Sequence, residues 1–510
     1  LFASSICAHI VLASILTTIA LLAGAAGPAP EPLLWFKGGQ PTAQAKQVLE
    51  TLQGAAAYGL DAADYAVVVP TSDQRRFDDA VSEATARFIK DLHSGRIDPR
   101  AAGFHLPPAA AGAFDVARTV RELATSTDVA AVLDAIEPRP LPYWRLKGAL
   151  AKYRSLAQEI GSVRLPALPG RSVSEGSEYA GVPQLRLLLQ ALGDLPAADS
   201  PASDGATHMD AVLAAGIRNF QRRHGLDVDG VVGARTFAAL ATPLTRRVEQ
   251  IALSMERWRW LSAIGRPNIV VNIPQFMLVA LPRAQDATTE PIEMRAIVGQ
   301  TYEYTRTPVF TTAITQVVFQ PYWDVPSSIL QRELLPHIRK NPALLERYQM
   351  EIVQGEGDDA RVVPTSRDAI RRLAAGGLRL RQRPGPANAL GPVKFVMPNP
   401  FSVYLHATPE RALFERSQRT FSHGCIRVSE PAVLAEYVLH DAAGDWNAQA
   451  IDAAMCGKET LRIPLLKPVR VVVFYSTAMA TQSEGVLFFD DVYGHDRKLQ
   501  DLLDARRRQQ

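Results

Sequence analysis

From Trp35 to about Ser174, apolar residues recur three to five positions apart: Ala43, Val48, Leu49 and Leu52, then Ala84, Phe88, Ile89 and Leu92, then Tyr143, Leu146, Leu150 and Tyr153. That spacing lines one side of successive helices and predicts an all-α body. Between Val182 and Leu240, Leu213, Ile217 and Phe220 share a helix face, Gly225 closes that helix, and Asp229-Gly230 turns the chain into a second short helix. Helical spacing returns over 242–262, with Val248, Ile251, Met255 and Trp258 on one side, so the small unit reads as an insertion in the helical body. The period then drops to two. Ile269, Val271 and Ile273, then Met294, Ala296 and Val298, then Val309, Thr311 and Ala313 alternate as strands do. Ser327 to about Gly377 reverts to a polar helical pattern through Leu330, Leu334, Leu335, Ile338, Leu344, Leu345 and Tyr348, and predicts a helical insertion between strands. Further on, Val433, Tyr437 and Val438 predict a helix, and Val469 to Tyr475 a strand.

The expected fold class is multidomain α+β. A helical scaffold spans 28–180 and 242–262, a small helical unit spans 181–241, and a mainly-β, sandwich-like domain spans 266–510 with a capping subdomain at 327–377. A helical cap between strands that bracket a site is a candidate lid.

The chain has 510 residues, of which 47% are hydrophobic and 21% charged, enough for two to four globular domains. A net charge of +3 and no basic run with interleaved aromatics give no reason to expect a nucleic-acid partner. Residues 1–27 differ from the rest: Ile6 to Ala26 is almost wholly apolar, and no lysine or arginine precedes Lys37. This predicts export, either through a secretory signal with a small-residue cleavage site at Ala23-Gly24-Ala25 or through a membrane anchor. Because the chain opens at Leu1 without a basic leader, we expect further residues upstream. Pro28 to Pro32 forms a proline-rich linker.

Of the three cysteines, Cys7 lies in the export segment, and Cys456, in Ala454-Met455-Cys456, reads as a small core residue. Cys425 stands in Ser422-His423-Gly424-Cys425-Ile426-Arg427-Val428, with fifteen residues separating Ser422 from His406. A nucleophilic thiol needs a base, a fixed turn and donors for the oxyanion. His406 ends an alternating run from Phe401 to Leu405 and is the expected base. Gly424 lets the backbone bend so that amides at 423–425 converge on one point. A disulfide between Cys425 and Cys456 would forbid this role, so a free Cys425 thiol is expected. No metal or other cofactor is expected, because no Cys-x-x-Cys pair stands near the motif. Asp227 and Asp229 do not make a calcium loop, since Val231 takes the next ligand position and the closing glutamate is missing.

These residues resemble the YkuD-type L,D-transpeptidase catalytic domain, whose signature is a histidine, a gap of about this length, and Ser/Thr-His-Gly-Cys. Tyr322-Trp323-Asp324-Val325-Pro326, Met397-Pro398-Asn399 and Tyr404-Leu405-His406 follow in the order of the large multidomain periplasmic type. Tyr58-Gly59-Leu60-Asp61 and His93-Ser94-Gly95-Arg96-Ile97 resemble its helical scaffold, with His93 and Arg96 expected as surface or capping groups. Residues 181–241 resemble a peptidoglycan-binding domain through Phe220-Gln221, His224-Gly225-Leu226, Asp229-Gly230, Gly233 and Thr236.

The resemblance implies that Cys425 is the nucleophile, His406 the base, and His423 and Gly424 lining of the oxyanion site. Arg427, Tyr404, Trp323 and Asn399 are the expected substrate contacts, Arg427 through a bidentate pair with a carboxylate. It implies the periplasm as the destination of export and the inner membrane as the one an anchor would enter. It implies peptidoglycan stem peptides and glycan as partners, with wall-synthesis proteins left open, 3-3 cross-links as product, and acylation of Cys425 by carbapenems. An L,D-carboxypeptidase, a hydrolase that detaches wall proteins, and an inactive wall-binding protein are the alternatives. The last draws on one departure: relatives often carry aspartate after the base histidine, where this chain has Ala407. A backbone carbonyl is then needed to fix the imidazole tautomer.

Overall fold

Helix α1 (Gln74–Ser94) starts where the Asp73 carboxylate accepts the Arg76 amide at 3.3 Å, and it ends at Gly95, whose φ of 86° suits glycine. Its buried stripe of Phe77, Val81, Ala84, Phe88, Ile89 and Leu92 packs with Trp35, Val48, Leu52, Tyr65, Leu123 and Leu133 into a core of its own. The computed structural model describes residues 32–107, 114–196, 207–262, 264–283 and 290–509. The apolar segment Ile6 to Ala26, with Cys7, lies outside them. Among the described residues no helix is long and apolar enough to cross a membrane.

Helix α2 (Leu141–Glu159) pairs with α4 (Leu244–Trp260), and the chain between them carries α3 (Ala211–Arg223). The α3 cap is Asp210, which accepts the Leu213 amide at 2.7 Å. Gln221 closes the following turn: its amide nitrogen donates to Asp229 Oδ1 at 2.8 Å and Val231 O at 2.9 Å, and its oxygen accepts from Gly230 at 2.8 Å.

Two scaffold residues expected as surface or capping groups are drawn inward. His93 stacks on Phe114 at 4.2 Å with Nδ1 2.9 Å from Ile136 O, and the Arg96 side chain, 7% exposed, pairs with buried Glu256 on α4. A buried carboxylate requires such a partner, which local spacing does not reveal.

The mainly-β domain holds a nine-stranded sheet: β1 (Ile269–Asn272), β2 (Met277–Ala280), β3 (Ile292–Gly299), β4 (Phe310–Phe319), β5 (Val393–Val396), β6 (Leu405–His406), β7 (Thr420–Ser422), β8 (Ile426–Val428) and β9 (Leu461–Phe474). The order is β7-β3-β8-β6-β5-β4-β9-β1-β2, and β2 also pairs with β3. Eight strands therefore close on one another, with β7 attached to β3, in place of the two open sheets of a sandwich. Closure removes free edges. Helix α5 (Pro431–Leu439) buries Leu434, Ala435 and Val438 and leaves Val433 40% exposed, so Val433 does not share the packing face. Helix α6 (His495–Arg507) returns to the scaffold, where Asp496 binds Arg257 of α4 at 2.5 Å.

The capping insertion is half sheet. Strands Trp323–Asp324, Arg379–Gln382, Met350–Gln354 and Arg361–Val363 pair antiparallel in that order, beside helical turns from 327 to 340 and the helix Arg367–Ala374. It encloses a separate core of Leu330, Leu335, Ile338, Leu345, Ile352, Leu373 and Leu380.

Candidate active site

Strand register assembles the site. Lys394 of β5 faces His406 of β6, and His406 faces Arg427 of β8. Because neighbours in register project from the same side of a sheet, the three form a row. Tyr404 and Cys425 lie two residues before His406 and Arg427 and extend the same side. The Tyr404 and His406 rings are 5.6 Å apart, and the Lys394 ammonium sits 4.0 Å from the Tyr404 ring centroid. Burial, then the neighbouring Cys425, raise the pKa of the Tyr404 phenol well above the ordinary value.

The buried His406 ring places Nδ1 2.6 Å from Ala407 O. A carbonyl only accepts, so Nδ1 carries the proton and Nε2 is left with its lone pair. The residue that lacks the aspartate side chain thus fixes the tautomer through its backbone. Burial, then the Arg427 charge, pull the His406 pKa down to about 3, against the Ala407 carbonyl. Burial pushes the Cys425 thiol up, opposed by the Tyr404 hydrogen bonds and by Lys394 and Arg427. Both shifts favour the neutral forms of thiol and imidazole near pH 7.

The cysteine turn is closed by Ser422, whose hydroxyl donates to Cys425 O at 2.5 Å and accepts the Gly424 amide at 3.1 Å. Gly424 has φ 113°, a left-handed value that favours glycine. Its amide is therefore engaged, which corrects the expectation that amides 423–425 all face one point. The His423 and Cys425 amides have no acceptor among the described residues. Cys425 is half-buried and forms no disulfide, with Sγ 3.7 Å from Ser402 O.

Asn399 does not present a free amide. Its nitrogen donates to Met397 O at 2.6 Å and Val403 O at 2.7 Å, and its oxygen accepts from Phe401 and Val403 at 3.0 and 3.1 Å. It clamps the loop that sets Ser402 and Tyr404. Arg427 pairs with Glu410, while its Nε is buried without an acceptor. His423 Nε2 lies 2.9 Å from Glu333 of the cap, so a polar contact ties the cap to the motif. Cys456 ends the short helix Ala448–Cys456, in which Ile451 is the buried residue, and is exposed. It is not a core residue.

Residues 266–451 match the family model described as L,D-transpeptidase catalytic domain. The chain carries an L,D-transpeptidase catalytic domain. Residues 31–150 match a model described as scaffold domain, and 178–240 one described as "Putative peptidoglycan binding domain". A Haemophilus influenzae protein named "Putative L,D-transpeptidase" is 31% identical over 251 residues, 49% of this chain and 49% of that protein. The chain thus spans about half the length of the curated relative it matches. The helical N-terminal half and β-rich C-terminal half make the transpeptidase-domain protein multidomain α+β.

Lys394 and Glu333 were not singled out from sequence. Lys394 alternates with buried Val393 and Phe395, the ordinary pattern of a polar residue on the outer side of a strand, so only its register with His406 marks it.

Proposed function

We propose that the chain is a periplasmic cysteine acyltransferase that acts on peptidoglycan stems as an L,D-transpeptidase. The supporting observation is the Tyr404, His406, Cys425 and Arg427 array, with His406 Nδ1 held by Ala407 O so that Nε2 is the basic nitrogen of the ring. Cys425 attacks the carbonyl before the terminal D-alanine of a tetrapeptide stem and passes its proton to His406. The oxyanion is received by the His423 and Cys425 amides. D-Alanine leaves with the proton from His406, and the thioester remains. An amine of a neighbouring stem then attacks, His406 removes its proton, and the C–S bond breaks to release a 3-3 cross-link.

Arg427 Nε and the Tyr404 and Trp323 rings are the proposed donor contacts. Ala407 was the one feature favouring an inactive wall-binding protein, and its carbonyl supplies the contact in question. The cap, held at His423 by Glu333, favours an amine over water as acceptor.

The test incubates the chain, and Cys425→Ala beside it, with a purified tetrapeptide muropeptide and identifies products by mass spectrometry. A cysteine-dependent dimer lacking one D-alanine supports transpeptidation. Tripeptide alone would assign a hydrolase, and unchanged substrate would count against an enzyme.

A further inference from the structure

The peptide that carries the Cys425 amide is held from behind by residues far away in sequence. The Gly424 carbonyl accepts the Thr307 hydroxyl at 2.8 Å. That hydroxyl in turn accepts the Gly299 amide at 2.8 Å, so its one proton is committed to Gly424. The Thr307 amide donates to the Tyr493 hydroxyl at 3.2 Å, and that hydroxyl donates to Gly299 O at 2.6 Å. Thr307 and Tyr493 are 1% and 4% exposed, so water does not compete for these bonds. The Gln300 amide donates to Ser422 O at 2.9 Å, which ties the 299–307 loop to both sides of the cysteine turn. The loop folds tightly enough that a Cβ on Gly299 would lie 1.9 Å from Thr305 O.

A planar trans peptide directs its C=O and N–H oppositely. With the Gly424 oxygen fixed toward Thr307, the Cys425 N–H points away from it, and that N–H has no acceptor among the described residues. We propose that Thr307, braced by Tyr493, is a positioning residue that aims the Cys425 amide at the oxyanion of acyl transfer. The proposal rests on the acyltransferase reading above. Neither residue touches the reacting atoms. Each acts by keeping a donor aimed before charge develops, and the bond to the Gly424 oxygen also polarises the peptide and strengthens its N–H as a donor.

The experiment compares wild type, Thr307→Val, Thr307→Ser and Tyr493→Phe in two reactions of Cys425. One is acyl-enzyme formation from a tetrapeptide muropeptide, read by rapid quench and intact mass. The other is alkylation by iodoacetamide, a displacement that forms no oxyanion. Thr307→Val should slow acylation at saturating donor by roughly 10²-fold, the usual loss for one oxyanion donor, with KM and alkylation nearly unchanged. Thr307→Ser should recover most of the rate, and Tyr493→Phe, which keeps the packing ring, should slow acylation by about tenfold.

Wild-type acylation in both Thr307→Val and Tyr493→Phe would overturn the proposal alone. So would equal losses in acylation and alkylation, which would mark a structural role. A wild-type chain that is never acylated would overturn the acyltransferase reading, and the proposal with it.

Discussion

Glu256→Gln tests the buried join between the two segments of the helical scaffold, Arg96-Ile97 and α4. Glu256 and Arg259 on α4 are both fully buried. One Glu256 oxygen accepts the amides of Arg96 and of Ile97, the latter at 3.2 Å, and the other accepts Arg96 Nε at 3.2 Å and an Arg259 nitrogen at 3.1 Å. Glutamine keeps the shape and the first pair of bonds, but turns an NH2 group toward two guanidinium donors. Two charge-assisted bonds at about 1.5–3 kcal/mol each give roughly 3–6 kcal/mol. Breaking a buried pair from one side costs about 3–5 kcal/mol by a separate route, so we expect a loss near 4 kcal/mol.

Burial alone would raise the Glu256 pKa, yet the Arg96 and Arg259 charges outweigh it and hold it below the ordinary 4.5. A depressed value stabilises the fold fully above the unfolded value, and that contribution fades as pH falls through the folded one. Urea unfolding followed by tryptophan fluorescence should give the full gap between wild type and variant at about pH 7.5 and a smaller gap below about pH 4. A gap under about 1 kcal/mol at neutral pH, or one that widens in acid, would refute the reasoning.

Other outcomes follow from the same geometry. With His406 held near 3, the imidazole stays neutral in mild acid, so the acid limb of the pH–rate profile should lie well below 6.5; a limb at 6.5 would contradict its burial. Lys394→Met should push the Cys425 thiol further up and slow iodoacetamide alkylation at about pH 8, and an unchanged rate would remove Lys394 from the site. Glu333→Ala releases the cap from His423 and should raise hydrolysis relative to transfer several-fold. An unchanged ratio would count against the cap as a water barrier. Exposed Cys456 should alkylate before half-buried Cys425, and the reverse order would contradict the two environments.

Local patterns carried much of the fold. The period-two runs at 269–273 and 294–298 coincide with strand β1, which ends at Asn272, and with β3, and the chain turns at Asp229-Gly230, where Gly230 has φ 78°. The β2–β3 pairing that closes the ring is not a local property, and neither is the cap's four-stranded sheet, whose first and last strands in sequence are more than fifty residues apart. At the site, the histidine and cysteine were legible because they share a short signature. Lys394, Glu333, Thr307 and Tyr493 were not, because each meets the motif through tertiary structure; Thr307 bonds Gly424 across 117 positions. Asn399 shows what local spacing leaves out: its amide is engaged by partners within 397–403, a clamp that a sequence does not display.

The most direct measurement of the central claim is the intact mass of the chain quenched milliseconds to seconds after mixing with a tetrapeptide muropeptide, followed by peptide mapping. The account predicts an adduct equal to the donor minus D-alanine, on Cys425 alone, labile to hydroxylamine as a thioester is, and discharged by an added acceptor stem. Product formation with no adduct on Cys425, or an adduct that maps elsewhere, would contradict it.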